Sequence, residues 1–211
     1  MKKWKSKDKN NPQYRDLVGN MGMFTNNEQE TIDALLAVGF PPRDIPALMG
    51  NIDVETGGSY SHTQKERGGK GYGLFQFTGS HKRDYFDWLK DSNLNDNKTS
   101  QAKFVFDNIY GNRGYGRELG WRDRSKLQTM FSESMLANPH IDDPIKRKAK
   151  IFSDVYEKPG VPHNERRMES AKKWEQKLMN TKKPPPPKPA TGMMSSGPMR
   201  RGSRRGRKRP S

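Results

Sequence analysis

Apolar residues recur with helical spacing along most of this chain. Thr25 and Glu28 form a pair typical of a capping box, which predicts a helix in residues 27–40 (NEQETIDALLAVGF). A second helix is predicted at about 43–56, because Ile45, Leu48, Met49 and Ile52 recur on one face. Gly57 and Gly58 end this helix.

The pattern changes at residues 59–78 (SYSHTQKERGGKGYGLFQFT), where one or two short strands are predicted around a glycine-rich turn. Helical periodicity then returns in five segments, at about 80–91, 99–110, 123–135, 142–158 and 164–179. Ser80 and Thr99 are the predicted caps of the first two. The predicted fold class is therefore α+β and mainly α, with a small β-hairpin inserted after the second helix.

Composition divides the chain into three parts. The 211 residues carry a net charge of +16, with an apolar fraction of 30% and no cysteine. Residues 181–211 hold ten Lys or Arg and no acid, while residues 1–9 add a net +4. We predict a basic N-terminal segment at 1–24, a folded domain at 25–180 and a disordered Pro/Arg-rich tail at 181–211.

Several classes of function are not supported by the sequence. No apolar run approaches the length of a membrane span, and the N-terminal lysines are not followed by the apolar core of a secretory signal. The four histidines show no metal-ligand spacing, so neither a metal nor a cofactor is predicted. The run GGKGYG lacks the Ser or Thr that follows Gly-Lys in a phosphate-binding loop.

Glu55 is the principal candidate for chemistry. It lies three residues after Ile52 and so continues the apolar face, in the last turn of the predicted helix. Desolvation and the helix dipole both favour the neutral form of a carboxyl at this place. A carboxyl that keeps its proton near neutral pH can act as a general acid. The alternative is an ordinary surface acid, paired with Arg67 or Lys70.

Two separated motifs resemble one family. GNIDVETGG followed by GYGLFQFTG, with the later FSDVYEKPGVPHNERRMESAKKW, is similar to the phage tail lysozyme family. That family belongs to the lysozyme-like superfamily, with goose-type lysozymes and lytic transglycosylases. The resemblance spans roughly residues 34–174. It implies a peptidoglycan glycosidase that cleaves the β-1,4 bond between N-acetylmuramic acid and N-acetylglucosamine, for cell-wall penetration or lysis.

The resemblance also assigns roles to residues. It makes Glu55 the proton donor, and it places Tyr72, Phe75 and Gln76 along the sugar cleft. The alternation of Tyr72, Leu74 and Gln76 is also typical of a half-buried strand. Glu66 is the nearest candidate along the sequence for a second catalytic carboxyl. The alternative is that it is a solvated turn residue. Glu157, just before Pro159, matches the closing motif and is predicted to be structural.

The reaction type and the partners stay open at this stage. The Ala-Tyr-Asn element usual in transglycosylases is missing, so hydrolysis and a transglycosylation that gives anhydro products are both retained. The expected location is a phage virion, or the host cytoplasm before release to the cell wall. Virion proteins are candidate partners, and residues 181–211 could bind DNA or an anionic envelope. The competing hypothesis is a non-catalytic virion or DNA-binding protein that keeps the fold as a scaffold.

Overall fold

The computed structural model describes residues 24–66, 69–111, 121–130, 143–160 and 163–180. The predicted basic segment before Phe24 and the predicted disordered tail at 181–211 lie outside these ranges. In the described ranges the chain forms seven α-helices: α1 (Asn26–Val38), α2 (Ile45–Thr56), α3 (Gly79–Asp91), α4 (Lys98–Tyr110), α5 (Trp121–Met130), α6 (Pro144–Phe152) and α7 (Asn164–Asn180). A 3₁₀ turn, Pro42–Asp44, precedes α2, and a π-helical turn, Ser153–Glu157, extends α6.

The first helix begins and ends as the sequence predicts. The Thr25 hydroxyl accepts a hydrogen bond from the Glu28 amide at 3.3 Å, and the Glu28 carboxylate accepts one from the Thr25 amide at 2.8 Å. This reciprocal pair confirms the capping box. Gly39, with φ of 112°, closes the helix in a left-handed conformation that glycine adopts without strain.

Helix α2 lies at the centre of the molecule. Ile45, Leu48, Met49 and Ile52 are fully buried, which confirms the predicted apolar face. The other side of α2 is buried as well, because α7 and α6 pack against it. Gly50 permits this approach: a Cβ atom there would lie 2.5 Å from the backbone nitrogen of Ala171 on α7.

The predicted β-hairpin is not confirmed. Between α2 and α3 there is one antiparallel bridge, Lys65 with Tyr72, and the described residues form no strand. The glycine-rich stretch turns too sharply for extended pairing, since Gly73 (φ 80°) and Gln76 (φ 45°) are both left-handed. We call residues 59–78 the α2–α3 loop.

The caps of α3 and α4 differ from the prediction. Helix α3 begins at Gly79, one residue before the predicted cap Ser80. Helix α4 is capped by Asn97 instead of Thr99, because the Asn97 side chain accepts a hydrogen bond from the Ser100 amide at 2.8 Å. None of the helices in the described ranges is both long and apolar enough to cross a membrane.

Candidate active site

Glu55 lies in the last turn of α2 and contacts a cation from the far end of the chain. Its carboxylate accepts a hydrogen bond from Nη2 of Arg167, a residue in the first turns of α7. The Glu55 side chain is 14% exposed, so it is reached from solvent at the edge of the core. Arg167 is thus the partner of Glu55, whereas the sequence suggested Arg67 or Lys70.

Arg167 holds a second carboxyl at the same time. Its Nη1 donates to Glu157, the last residue of the π-helical turn, and to the side-chain oxygen of Asn51 at 3.1 Å. The side chains of Arg167 and Glu157 are each only 2% exposed. One buried guanidinium therefore joins three elements, α2, α7 and the π-helical turn, through two acids.

The environment of Glu157 favours its neutral form. Burial raises the pKa of the Glu157 carboxyl well above its ordinary value; the nearby Arg167 cation opposes this effect, and the Glu55 charge adds to it. The Oε1 atom of Glu157 is buried and has no hydrogen-bond partner among the described residues. A buried oxygen without a donor is less costly on a neutral carboxyl than on a carboxylate.

Asn51 fixes the position of this group within the core. Its side-chain nitrogen donates to the backbone oxygens of Ala47, at 2.9 Å, and of Ala149 on α6, at 3.1 Å. Its side-chain oxygen is thereby turned towards Arg167. The close contact of Gly50 with Ala171 brings α7 near enough for Arg167 to reach the end of α2.

A second polar network lies beside Glu55 on α2. The Tyr60 hydroxyl donates to Asp53 at 2.9 Å and accepts from the Trp174 indole nitrogen at 3.1 Å. The Ser170 hydroxyl donates to the other oxygen of Asp53. These contacts tie the start of the α2–α3 loop to α7, and they occupy both oxygens of Asp53.

Glu66 lies apart from the Arg167 group. It is exposed in the α2–α3 loop, where its carboxylate accepts a hydrogen bond from the Gly71 amide at 3.2 Å. The structure thus brings Glu157, and not Glu66, into the network that holds Glu55. A catalytic role for Glu66 stays a prediction from the sequence.

Tyr72 is anchored through its hydroxyl and keeps part of its ring at the surface. The hydroxyl donates to Asp96, whose other oxygen accepts from Tyr85 at 2.5 Å and from Gln101 at 3.0 Å. Burial, with the hydrogen bond to Asp96, raises the pKa of Tyr72 to about 12. The ring is half-buried, and the exposed ring of Phe86 lies 5.2 Å from it between centroids.

Phe75 and Gln76 have different surroundings although they are adjacent. Phe75 is 3% exposed and packs against Phe77 and Phe152, so it offers no free ring face to a sugar. Gln76 donates through Nε2 to the Gly73 oxygen at 2.7 Å, while its Oε1 has no partner among the described residues. Gln76 is the more exposed of the two residues, but its Oε1 atom is buried and does not lie at the surface.

Sequence reasoning missed Arg167 and the involvement of Glu157 in the site. The signal was present in the closing motif, where two adjacent arginines follow HNE at 163–165. Only the packing of α7 against α2 distinguishes buried Arg167 from exposed Arg166. In the described part of the chain, no group of three or more His, Asp or Glu is arranged to hold a metal ion.

Comparison with known proteins agrees with the resemblance noted in the sequence. A family model described as phage tail lysozyme matches residues 26–178, from the first residue of α1 nearly to the end of α7. No curated protein and no solved structure was found to match the chain. The matched range is more than half of the sequence and includes Glu55, Glu157 and Arg167. The chain belongs to the phage tail lysozyme family.

Proposed function

We propose that this protein is a peptidoglycan glycosidase that cleaves the β-1,4 bond between N-acetylmuramic acid and N-acetylglucosamine, with Glu55 as the general acid. Family membership indicates a phage enzyme that lyses peptidoglycan. The bond and the acid are the finer parts of the proposal. They rest on the position of Glu55 and on the chemistry that glycoside cleavage requires.

The observation that carries the proposal is a partly exposed carboxyl fixed at the end of the most buried helix. Glu55 is reached from solvent, yet its backbone belongs to a helix whose core face is fully buried. A general acid must be held within hydrogen-bond reach of the leaving oxygen while substrate enters and leaves. A rigid helix end beside the α2–α3 loop meets both needs.

The α2–α3 loop supplies the proposed sugar contacts. Tyr72 presents part of its ring while Asp96 holds its hydroxyl, and ring faces of this kind stack on sugars. Gln76, half-buried in the same loop, is the proposed polar contact through its side-chain amide. Phe75 supports this loop from the core side through Phe77 and Phe152.

Hydrolysis is the reaction that we propose, with transglycosylation as the alternative. In hydrolysis water completes the reaction and leaves a free reducing end, whereas transglycosylation uses a hydroxyl of the sugar itself and leaves an anhydro end. Mass spectrometry of muropeptides released from purified sacculi separates the two, because anhydro products are lighter by one water. Products with reducing ends support hydrolysis. Anhydro products would show that the reaction is transglycosylation, with Glu55 as its acid.

The biological setting of the proposal is a phage particle or the host cytoplasm before release to the cell wall. Association with a phage fits the family assignment. We propose that the ten cations of residues 181–211 concentrate the enzyme on a polyanion, either the bacterial envelope or packaged DNA. Removing this segment should weaken binding to sacculi at low salt and have little effect at high salt.

A further inference from the structure

We propose that Glu157 is a positioning residue for Glu55: the two carboxyls share one proton and the single charge of Arg167, so that Glu157 becomes the counter-ion of Arg167 whenever Glu55 is protonated. This inference rests on the proposed role of Glu55 as general acid. It gives Glu157 a function beyond holding the fold, without contact between Glu157 and the substrate.

The geometry gives each acid its own place on the guanidinium. Glu55 contacts Nη2 and Glu157 contacts Nη1, so neither acid has to leave for the other to bind. Asn51 holds Nη1 as well and keeps the guanidinium in place. Arg167 therefore retains a partner when Glu55 turns towards a substrate.

The count of charges favours one proton for the two carboxyls. One cation balances one carboxylate, and a second carboxylate beside it at 2% exposure would be a buried charge without compensation. The group is neutral in two arrangements, with the proton on Glu157 or with the proton on Glu55. Only the second arrangement supplies an acid for catalysis.

Other charged groups near Glu157 are engaged elsewhere. On its own turn, Asp154 pairs with Lys150, and the Tyr156 hydroxyl accepts from Asn108 at 3.2 Å and lies 3.1 Å from the His81 ring nitrogen. Helix α5 also packs against the turn, and its described charged side chain, Lys126, is exposed. On α6, which packs against the turn, Lys148 pairs with Asp44. Among the described residues, Arg167 and Glu55 carry the charges that act on Glu157.

The shared proton has a consequence for the dependence of activity on pH. With Glu157 present, Glu55 can be protonated while Arg167 keeps a carboxylate partner, so acid competence extends to higher pH. Glu157→Gln removes this partner and leaves Glu55 as the sole counter-ion of Arg167. Because an adjacent cation favours the carboxylate, the variant then needs a lower pH to place a proton on Glu55.

The test compares pH–activity profiles of the full chain on sacculi for wild type, Glu157→Gln and Asp154→Asn. Asp154 is the matched control, since it is an exposed acid on the same turn. We expect Glu157→Gln to move the alkaline limb of the profile about one pH unit lower or more, with an activity loss of about tenfold at about pH 8. Asp154→Asn should leave the limb in place. An unchanged limb in Glu157→Gln, with Glu55→Gln inactive, would overturn the inference and leave the proposed function intact.

A second measurement uses the wild-type protein alone and so does not depend on the folding of a variant. Carbon-13 NMR of the glutamate carboxyl groups follows protonation in the wild-type chain between about pH 4 and about pH 9. We expect the Glu157 signal to report a carboxyl that keeps its proton to a pH above the ordinary range of glutamate, and the Glu55 signal to respond to the same step. A Glu157 signal that stays ionised throughout this range would contradict the shared proton, whether or not the protein cleaves peptidoglycan.

Discussion

Arg167 donates a hydrogen bond to Glu55 across 112 residues of sequence, from α7 to the last turn of α2. This contact joins the acid motif near residue 55 to the closing motif near residue 160, the two segments that carry the resemblance to phage tail lysozymes. The buried Arg167 side chain connects these two segments, which are distant in sequence. The proposed acid is therefore positioned by the last helix of the domain as well as by its own.

Replacing Arg167 should destabilise the fold strongly. Arg167→Met leaves Glu55 and Glu157 without their cation, and breaking a buried pair in this way costs about 3–5 kcal/mol of the free energy of unfolding. Arg167→Lys should cost less, because it keeps the positive charge. Some loss remains, because lysine lacks the two nitrogens that hold Glu55 and Glu157 separately. Urea unfolding measures both. Exposed Arg166→Met is the control, with an expected change within about 0.5 kcal/mol.

Gly50→Ala should also destabilise the protein, although alanine is the better helix former. The added Cβ would lie 2.5 Å from the Ala171 backbone nitrogen, so α2 and α7 must move apart. Overpacking of this kind costs about 1–3 kcal/mol of the free energy of unfolding. The better helix propensity of alanine offsets at most about 1 kcal/mol of that cost. Gly160→Ala, where no atom lies within 4 Å of the added carbon, is the control. Equal stability of the two variants in thermal melts would contradict the close contact.

His81 should make the stability depend on pH. Burial lowers the pKa of its imidazole to about 4, although Asp84 acts in the opposite direction. Its stabilising contribution is present above the unfolded pKa of 6.5 and is lost as the pH falls towards 4. Relative to His81→Gln, the wild type should lose roughly 2–3 kcal/mol of unfolding free energy between about pH 7.5 and about pH 4.5. Parallel urea curves for the two proteins at both pH values would show that His81 does not titrate in this way.

Glu66→Gln tests the sequence-based candidate for a second catalytic carboxyl. Glu66 is exposed and bonds to Gly71 within its own loop, so we expect the rate of muropeptide release to fall by less than about tenfold. A fall of about 100-fold or more with an unchanged melting temperature would instead establish Glu66 as a catalytic group.

Local patterns in the sequence predicted the local structure well. The Thr25–Glu28 box and the buried face of α2 follow from spacing along a few residues, and both are confirmed. The α2–α3 loop was harder to predict, because its alternating residues suggest a strand while Gly73 and Gln76 turn the chain instead. This turning also places Phe75 in the core, whereas the resemblance assigned it to the sugar cleft.

The candidate site was predicted in part. Glu55 was proposed from the end of an apolar face together with the family motif around it, both of which are local features of the sequence; its catalytic role stays a prediction. Its partner could not be found in the same way, because the choice of Arg167 over the neighbouring Arg166 depends on how α7 packs against Gly50. The position of Glu157 likewise depends on a π-helical turn that turns its carboxyl into the core, a feature that no spacing rule predicts.

The central claim, that Glu55 is the general acid of a peptidoglycan glycosidase, is tested most directly by muropeptide release from purified sacculi by wild type and Glu55→Gln. The glutamine keeps the size of the side chain and an oxygen that can accept from Arg167, so the melting temperature should change little. We predict that the wild type releases muropeptides and that the variant does so at least about 100-fold more slowly. Equal release by the two proteins, or no release by the wild type at any salt concentration, would contradict the claim.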